Sequence, residues 1–183
     1  MIVKFKKLSD TAITPHRAHH NDAGYDLFAD EDVEIEYGDT LAVKTNIAIE
    51  LPNGYVADVR NRSGLTLKTN LRVHYGTIDA GYRDGIGIIC ENASHEEAVN
   101  LISLTLAKVA SAINKDGLEK IDISDENIIN TANKTVVKIN KGDKIGQLVI
   151  HKLPEIELVE TQELSDSERG LNGFGSTDNK EGE

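Results

Sequence analysis

The chain has 183 residues, 39% hydrophobic and 28% charged, which bounds it to one soluble domain with a single core. Its net charge of −11 excludes a broad phosphate-backbone surface, and with it nucleic acid as a partner. A small polyphosphate held by a few local arginines, backbone N–H groups and a divalent metal stays within reach of that charge.

No apolar run approaches a membrane span and no signal-peptide layout opens the chain, so a cytoplasmic protein without membrane contact is expected. "MIVKFKKLSD" suggests a first strand through Ile2, Val3, Phe5 and Leu8. "PHRAHHND" brings His16, His19 and His20 together without the Cys or acidic pattern of a metal site, and reads as a solvated loop. "DAGYDLFA" reads as a strand entered through a turn, with Asp26 solvated. "DVEIEY", "LAVKTNIAIEL", "GYVADV" and "GIGIIC" are short apolar runs, and "YGDT" and "LPNGY" are turns between them. "RSGL" after "GYVADV" initiates a helical turn or, functionally, cradles phosphate with guanidinium, hydroxyl and backbone N–H groups. In "GTIDAGYRDGI" an acid, Asp79, precedes Tyr82 by three residues among glycines, which reads as a hairpin built around a ligand. Cys90 has no internal disulfide partner and no neighbouring His, and reads as a buried core thiol.

The stretch 92–135 differs. Ser94 and Glu97 form a capping box, Ala98, Leu101, Ile102, Thr105, Val109 and Ile113 recur at helical spacing, and Gly117 gives a stop. It reads as an α-containing insertion, and its flanks "GIGIIC" and "TVVKIN" read as adjacent strands. "VVKINKGDKIGQLVIHKL" returns to strand character around an "NKGD" turn. The fold class is therefore all-β, a barrel or sandwich over 1–164 interrupted by the insertion, followed by a polar, glycine-rich arm over 165–183.

Each chemistry-bearing stretch alone is more often structural than functional. In order along the chain, however, "AGYDL", "RSGL", "GTIDAGYRDG", "GDKIGQL" and "RGLNGFGST" resemble the five motifs of the trimeric dUTPase family. The resemblance covers nearly the whole chain outside the insertion. It implies a jelly-roll barrel, a homotrimer whose subunits share each site, and Mg²⁺-dependent hydrolysis of dUTP to dUMP and pyrophosphate, keeping uracil out of DNA. It also implies roles. Asp79 activates the water, Gln147 contacts that water or the α-phosphate, and Ser63 donates to the α–β bridging oxygen. Arg62 and Arg169 hold phosphate oxygens, Gly64, Gly175 and Ser176 also contact substrate, and Phe174 stacks over uracil as the arm closes. Gly76, Thr77, Ile78 and Gly87 offer backbone groups to the base, Tyr82 packs on the sugar against a 2′-hydroxyl, and Asp26 reaches the metal through water. One departure is Asp84, where the family often has glycine.

Two other readings stay open. A dCTP deaminase shares the fold, but wants a catalytic glutamate and usually lacks the "GFGST" tail. A regulatory binding protein would use the insertion, which resembles those of dUTPases from phages of Gram-positive bacteria, against a repressor-type partner. For such a phage protein the compartment is the bacterial host's cytoplasm. The plainer reading of the insertion is a lobe covering barrel surface.

Overall fold

In the computed structural model, residues 1–94, 106, 136–167 and 170 are described. The elements in chain order are β1 (Lys4–Lys7), β2 (Tyr25–Phe28), β3 (Val33–Ile35), β4 (Thr40–Lys44), β5 (Ile47–Glu50) and β6 (Tyr55–Arg60), then α1 (Ser63–Lys68), β7 (Leu71–Val73), β8 (Gly76–Asp79), β9 (Gly87–Asn92), β10 (Val137–Ile139) and β11 (Lys144–Lys152). They pair antiparallel into small sheets, β1–β5, β10–β3, β2–β11–β6–β8 and β4–β9–β7. Strand neighbours are mostly distant in sequence, as in a jelly roll.

The turns fall where glycine permits a left-handed backbone. Gly38, Gly54 and Gly142 have φ of 77°, 78° and 91°, in "YGDT", "LPNGY" and "NKGD". "NKGD" is closed from both sides. Asp143 N–H donates to the Asn140 carbonyl at 2.9 Å, and its carboxylate accepts the Asn140 N–H at 2.8 Å.

"LAVKTNIAIEL" is not one strand. It breaks at Asn46, whose φ is 50°, and β4 and β5 enter different sheets. The polar pair Thr45–Asn46 supplies the corner. The buried Thr45 hydroxyl donates to the Ile86 carbonyl at 2.7 Å, and the Asn46 amide donates to Asp30 at 2.7 Å. Asp30 is itself buried and also accepts from Ser9, with the Lys141 ammonium 3.2 Å away, so one carboxylate ties three loops together. Those hydroxyl and amide hydrogen bonds outweigh burial and hold its carboxyl well below the usual range.

The core lies between the sheets, with Leu27, Ile35, Val43, Ile47, Ile88, Cys90 and Ile145 almost wholly buried. Cys90 is a core thiol, and burial pushes its pKa up to about 12.

The flanks of the insertion are not paired strands. β9 pairs with β4 and β7, and β10 pairs with β3. They nevertheless converge on one residue. Asn92 donates its amide to the Ile35 carbonyl at 2.8 Å, and Val137 pairs with Ile35. Asn92 belongs to the barrel as the last residue of β9 and is fully buried. Of the predicted insertion helix only Leu106 is among the described residues, and it is helical and exposed.

Candidate active site

Three of the sequence stretches meet in one cleft of about 380 Å³, lined by Asp22, Gly24, Asp26, Arg62, Ser63, Gly64, Lys144 and Gln147 among others. β2 carries Asp26 beside Gln147 of β11, and Gln147 also pairs with Arg60 at the end of β6, from which the chain turns through Arg62 into α1. Arg62 stands in extended backbone before the helix, and its carbonyl accepts the N–H groups of Leu65 and Thr66, each at 3.0 Å, to close the first turn. Gln147 donates its amide to the Asn61 carbonyl at 2.9 Å.

Asp26 is not solvated as its sequence context suggests. Its side chain is 14% exposed and held between two cations, Arg62 Nε at 3.1 Å and Lys144 Nζ at 2.8 Å. Arg62 also donates to the Lys144 carbonyl at 3.3 Å. Asp22 also lines the cleft, its carboxylate accepting the His19 N–H at 2.8 Å, so two carboxylates balance the two cations, and an anion would be held by Arg62 and Lys144 locally rather than by a net surplus. Lys144 was not singled out from the sequence. Gly24 has a direct reason to be glycine, because a Cβ there would collide with the Gln147 side-chain oxygen.

The "GTIDAGYRDGI" stretch is not a hairpin. β8 pairs with β6, β9 pairs with β4 and β7, and the chain crosses between sheets. Nor do its glycines use positive φ; a Cβ on Gly76 would meet Val59 at an ordinary 3.4 Å, whereas one on Gly85 would press to 3.1 Å against Leu8. The turn closes by Tyr82 N–H donating to the Asp79 carbonyl at 3.0 Å, and the Tyr82 hydroxyl donates to the Gly85 carbonyl at 3.1 Å. Asp84 has a local task, accepting the Gly85 N–H at 2.7 Å. Ile78 is buried, while Thr77, Asp79, Tyr82 and Gly87 are exposed. β8 is the edge of its sheet, so half of its backbone donors and acceptors face away from β6.

The two groups are far apart within one protomer. Asp79 lies opposite Val56 and Gln147 opposite Arg60, four residues along β6. At about 3.3 Å per residue this separates them by roughly 13 Å along the strand, plus two strand spacings. Between them on the same face lies a polar group around the buried Asp58. Arg60 Nη2 donates to it at 2.9 Å, and His151 Nε2 lies 3.0 Å away. Burial opposes ionisation of Asp58, but the hydroxyl of Tyr75 with Arg60 and His151 outweighs it and holds the carboxyl low. The Asp58 hydrogen bond in turn raises both Tyr75 and Arg60.

Among the described residues no group of three His, Cys, Asp or Glu could cage a metal. The cleft instead offers two carboxylates, Asp26 held by Arg62 and Lys144, and Asp22 accepting the His19 N–H. That set fits Mg²⁺ arriving on substrate phosphates and keeping several waters. Arg169, Phe174, Gly175 and Ser176 lie outside the described residues.

Fold and cleft together define a nearly all-β protein with a polar cleft lined by Asp22, Asp26, Arg62 and Lys144. The dUTPase family model matches residues 10–103 and 104–178. The deoxyuridine 5′-triphosphate nucleotidohydrolase of Clostridioides difficile is 38% identical over 96% of both chains, and that of Crocosphaera subtropica 36% identical over 97% of this chain and 99% of its own. Among solved structures, the dUTPase of Staphylococcus phage 80alpha with dUPNHPP is 34% identical, with a TM-score of 0.72 and 96% and 97% of the two chains covered. That of phage phi11, described for its species-specific insert, is 30% identical with a TM-score of 0.67, covering 91% of this chain and all of its own (100%). A variant of the phi11 enzyme is described as coordinating a structural Mg(II) ion. The chain belongs to the dUTPase family, hydrolases acting on dUTP.

Proposed function

We infer that this chain cleaves the α–β phosphoanhydride of dUTP, giving dUMP and pyrophosphate, at a site that no protomer completes alone. The observation that carries this reading is the division of the motif residues. Asp26, Arg62, Ser63, Gly64 and Gln147 share one cleft, while Asp79 and Tyr82 stand exposed elsewhere on the same chain. A general base must lie within hydrogen-bond reach of the water it activates. Asp79 therefore serves the cleft of another copy, which is what a homotrimer with shared sites provides.

In that arrangement the free edge of β8, from Gly76 through Ile78, pairs with the polar edge of uracil. A cytosine there would leave buried polar groups unmatched. Tyr82 packs on deoxyribose and occupies the space of a 2′-hydroxyl. Asp79 orients the water and takes its proton as the water attacks the α-phosphorus. Gln147 holds that water or the α-phosphate in line. Ser63 donates to the bridging oxygen, where leaving-group charge develops, and Arg62 holds phosphate oxygens. The C-terminal arm brings Arg169, Gly175 and Ser176 to the phosphates and Phe174 over the base. Mg²⁺ carried by the triphosphate would supply charge neutralisation there, and Asp26 would hold it through water. The insertion has a separate reading as the seat of a repressor-type partner, supported by 80alpha dUTPase structures described as controlling virulence-gene transfer.

Product analysis with dUTP, dCTP, dTTP and UTP tests the activity. Release of dUMP and pyrophosphate from dUTP alone is expected. Deamination of dCTP would contradict it, and equal turnover of UTP would remove the sugar contact assigned to Tyr82.

A further inference from the structure

We propose that Lys144 is a triphosphate-binding residue of this site, aimed into the cleft by a β-bulge and exchanging the Asp26 carboxylate for phosphate oxygens when substrate enters. This rests on the dUTPase reading and adds a residue to it. The motif resemblance leaves position 144 open, so the argument is local.

The first observation is register. Residues three apart on a regular strand face opposite sides of the sheet. Lys144 and Gln147 would then point to opposite faces. β11 instead carries a register shift against β2, where Lys144 pairs with Phe28, Gly146 with Leu27 and Gln147 with Asp26. Ile145 is the extra residue. Since Phe28 and Asp26 are two apart on β2, Lys144 and Gln147 come to the same face. Bulges are used next to active sites to re-aim a side chain. This one is fixed by packing, because Ile145 is buried in the core and a Cβ on Gly146 would sit 3.0 Å from Ile88 and 3.4 Å from the Arg60 carbonyl.

The second observation is charge. Lys144 Nζ lies 2.8 Å from Asp26 Oδ2, with its ammonium 5.7 Å from the Phe28 ring centroid. Its side chain is 37% exposed and lines the cleft with Arg62, Ser63 and Gln147. Asp26 already has Arg62 as a partner, so Lys144 is not needed to neutralise it. A triphosphate brings several negative charges into this surround and competes with Asp26 for the ammonium. Releasing Asp26 from Lys144 also frees an oxygen of that carboxylate for the hydration shell of a metal carried by the phosphates. A lysine ammonium is a charge on a flexible four-carbon stem, long enough to swing between such partners.

The test compares an α,β-imido analogue of dUTP with dUMP, both with Mg²⁺, by calorimetry. Lys144→Met keeps the stem over Phe28 and removes the charge. Its Kd for the analogue should rise about ten- to a hundredfold, the range of a lost charged hydrogen bond. Its Kd for dUMP, which lacks the outer phosphates, should stay within about twofold. Lys144→Arg should restore most of the affinity, and KM for dUTP should rise more than kcat falls. Should Lys144→Met not fold, Lys144→Gln gives the same comparison. Equal weakening of analogue and dUMP would make Lys144 structural and overturn the proposal, as would unchanged analogue binding or no rescue by arginine. Absence of analogue binding by the unsubstituted protein would overturn the dUTPase reading along with it.

Discussion

Replacing Gly24 by alanine is a test of site geometry that leaves the fold almost untouched. Gly24 does not have a left-handed backbone, so alanine brings no backbone strain. The added methyl would collide with the Gln147 side-chain oxygen and lie 3.1 Å from both its Cβ and its Cδ. The oxygen and Cδ belong to the flexible end of a side chain at the edge of the cleft, which swings away, while the Cβ contact, fixed to β11, is relieved by a shift of a few tenths of an ångström. The amide then gives up the 2.9 Å hydrogen bond to the Asn61 carbonyl, a loss of about 1 kcal/mol. The catalytic effect should be larger, because displacing a positioning group by about 1 Å costs on the order of a hundredfold in rate. Steady-state hydrolysis of dUTP should therefore show kcat/KM lowered about ten- to a hundredfold, with circular dichroism unchanged and Tm lowered by only a few degrees. Unimpaired turnover would refute the placement of Gln147 in the reaction. A large fall in Tm would show that Gly24 matters to the barrel instead.

Asp79→Asn should bind the imido analogue of dUTP normally and lose at least about two orders of magnitude in kcat, as measured by pyrophosphate release. Asp30→Asn should destabilise the protein by about 1.5–3 kcal/mol at neutral pH in urea denaturation. The native Asp30 carboxyl titrates below its unfolded value, so its stabilisation is present above about pH 4 and is lost as pH falls through the native value, and the gap between the two proteins should close in acid. Replacing residues 96–135 by a short linker should preserve the barrel and much of the dUTP turnover, because the last residue of β9 and the first of β10 both meet Ile35. Loss of assembly in that variant, by light scattering, would place the insertion within the enzyme's own architecture.

What the sequence disclosed was mostly local. The turns at Gly38, Gly54 and Gly142 were legible because glycine chemistry acts within four residues. The start of α1 at Ser63 was legible in "RSGL", and the burial of Cys90 in its apolar neighbours. Partner choice was not legible. β8 and β9 look like two arms of a hairpin because they are adjacent in sequence, yet each finds its partners in other sheets. Asn46 hides inside an apolar run, and only its contact with Asp30 shows why the strand turns there. Lys144 was missed for a related reason. Its face depends on a bulge, and an extra residue in a strand leaves no periodic trace short enough to read.

Mixed trimers test the shared site most directly. Asp79→Asn and Arg62→Ala chains, each nearly inactive alone, would be unfolded together, refolded at equal ratio and assayed with dUTP. If Asp79 of one copy serves the Arg62 cleft of the next, every mixed trimer regains one intact site in three. Random assembly then restores about a quarter of the activity of the unsubstituted protein. Activity no higher than that of the two variants alone would place Asp79 and the cleft in the same chain's site and contradict the account.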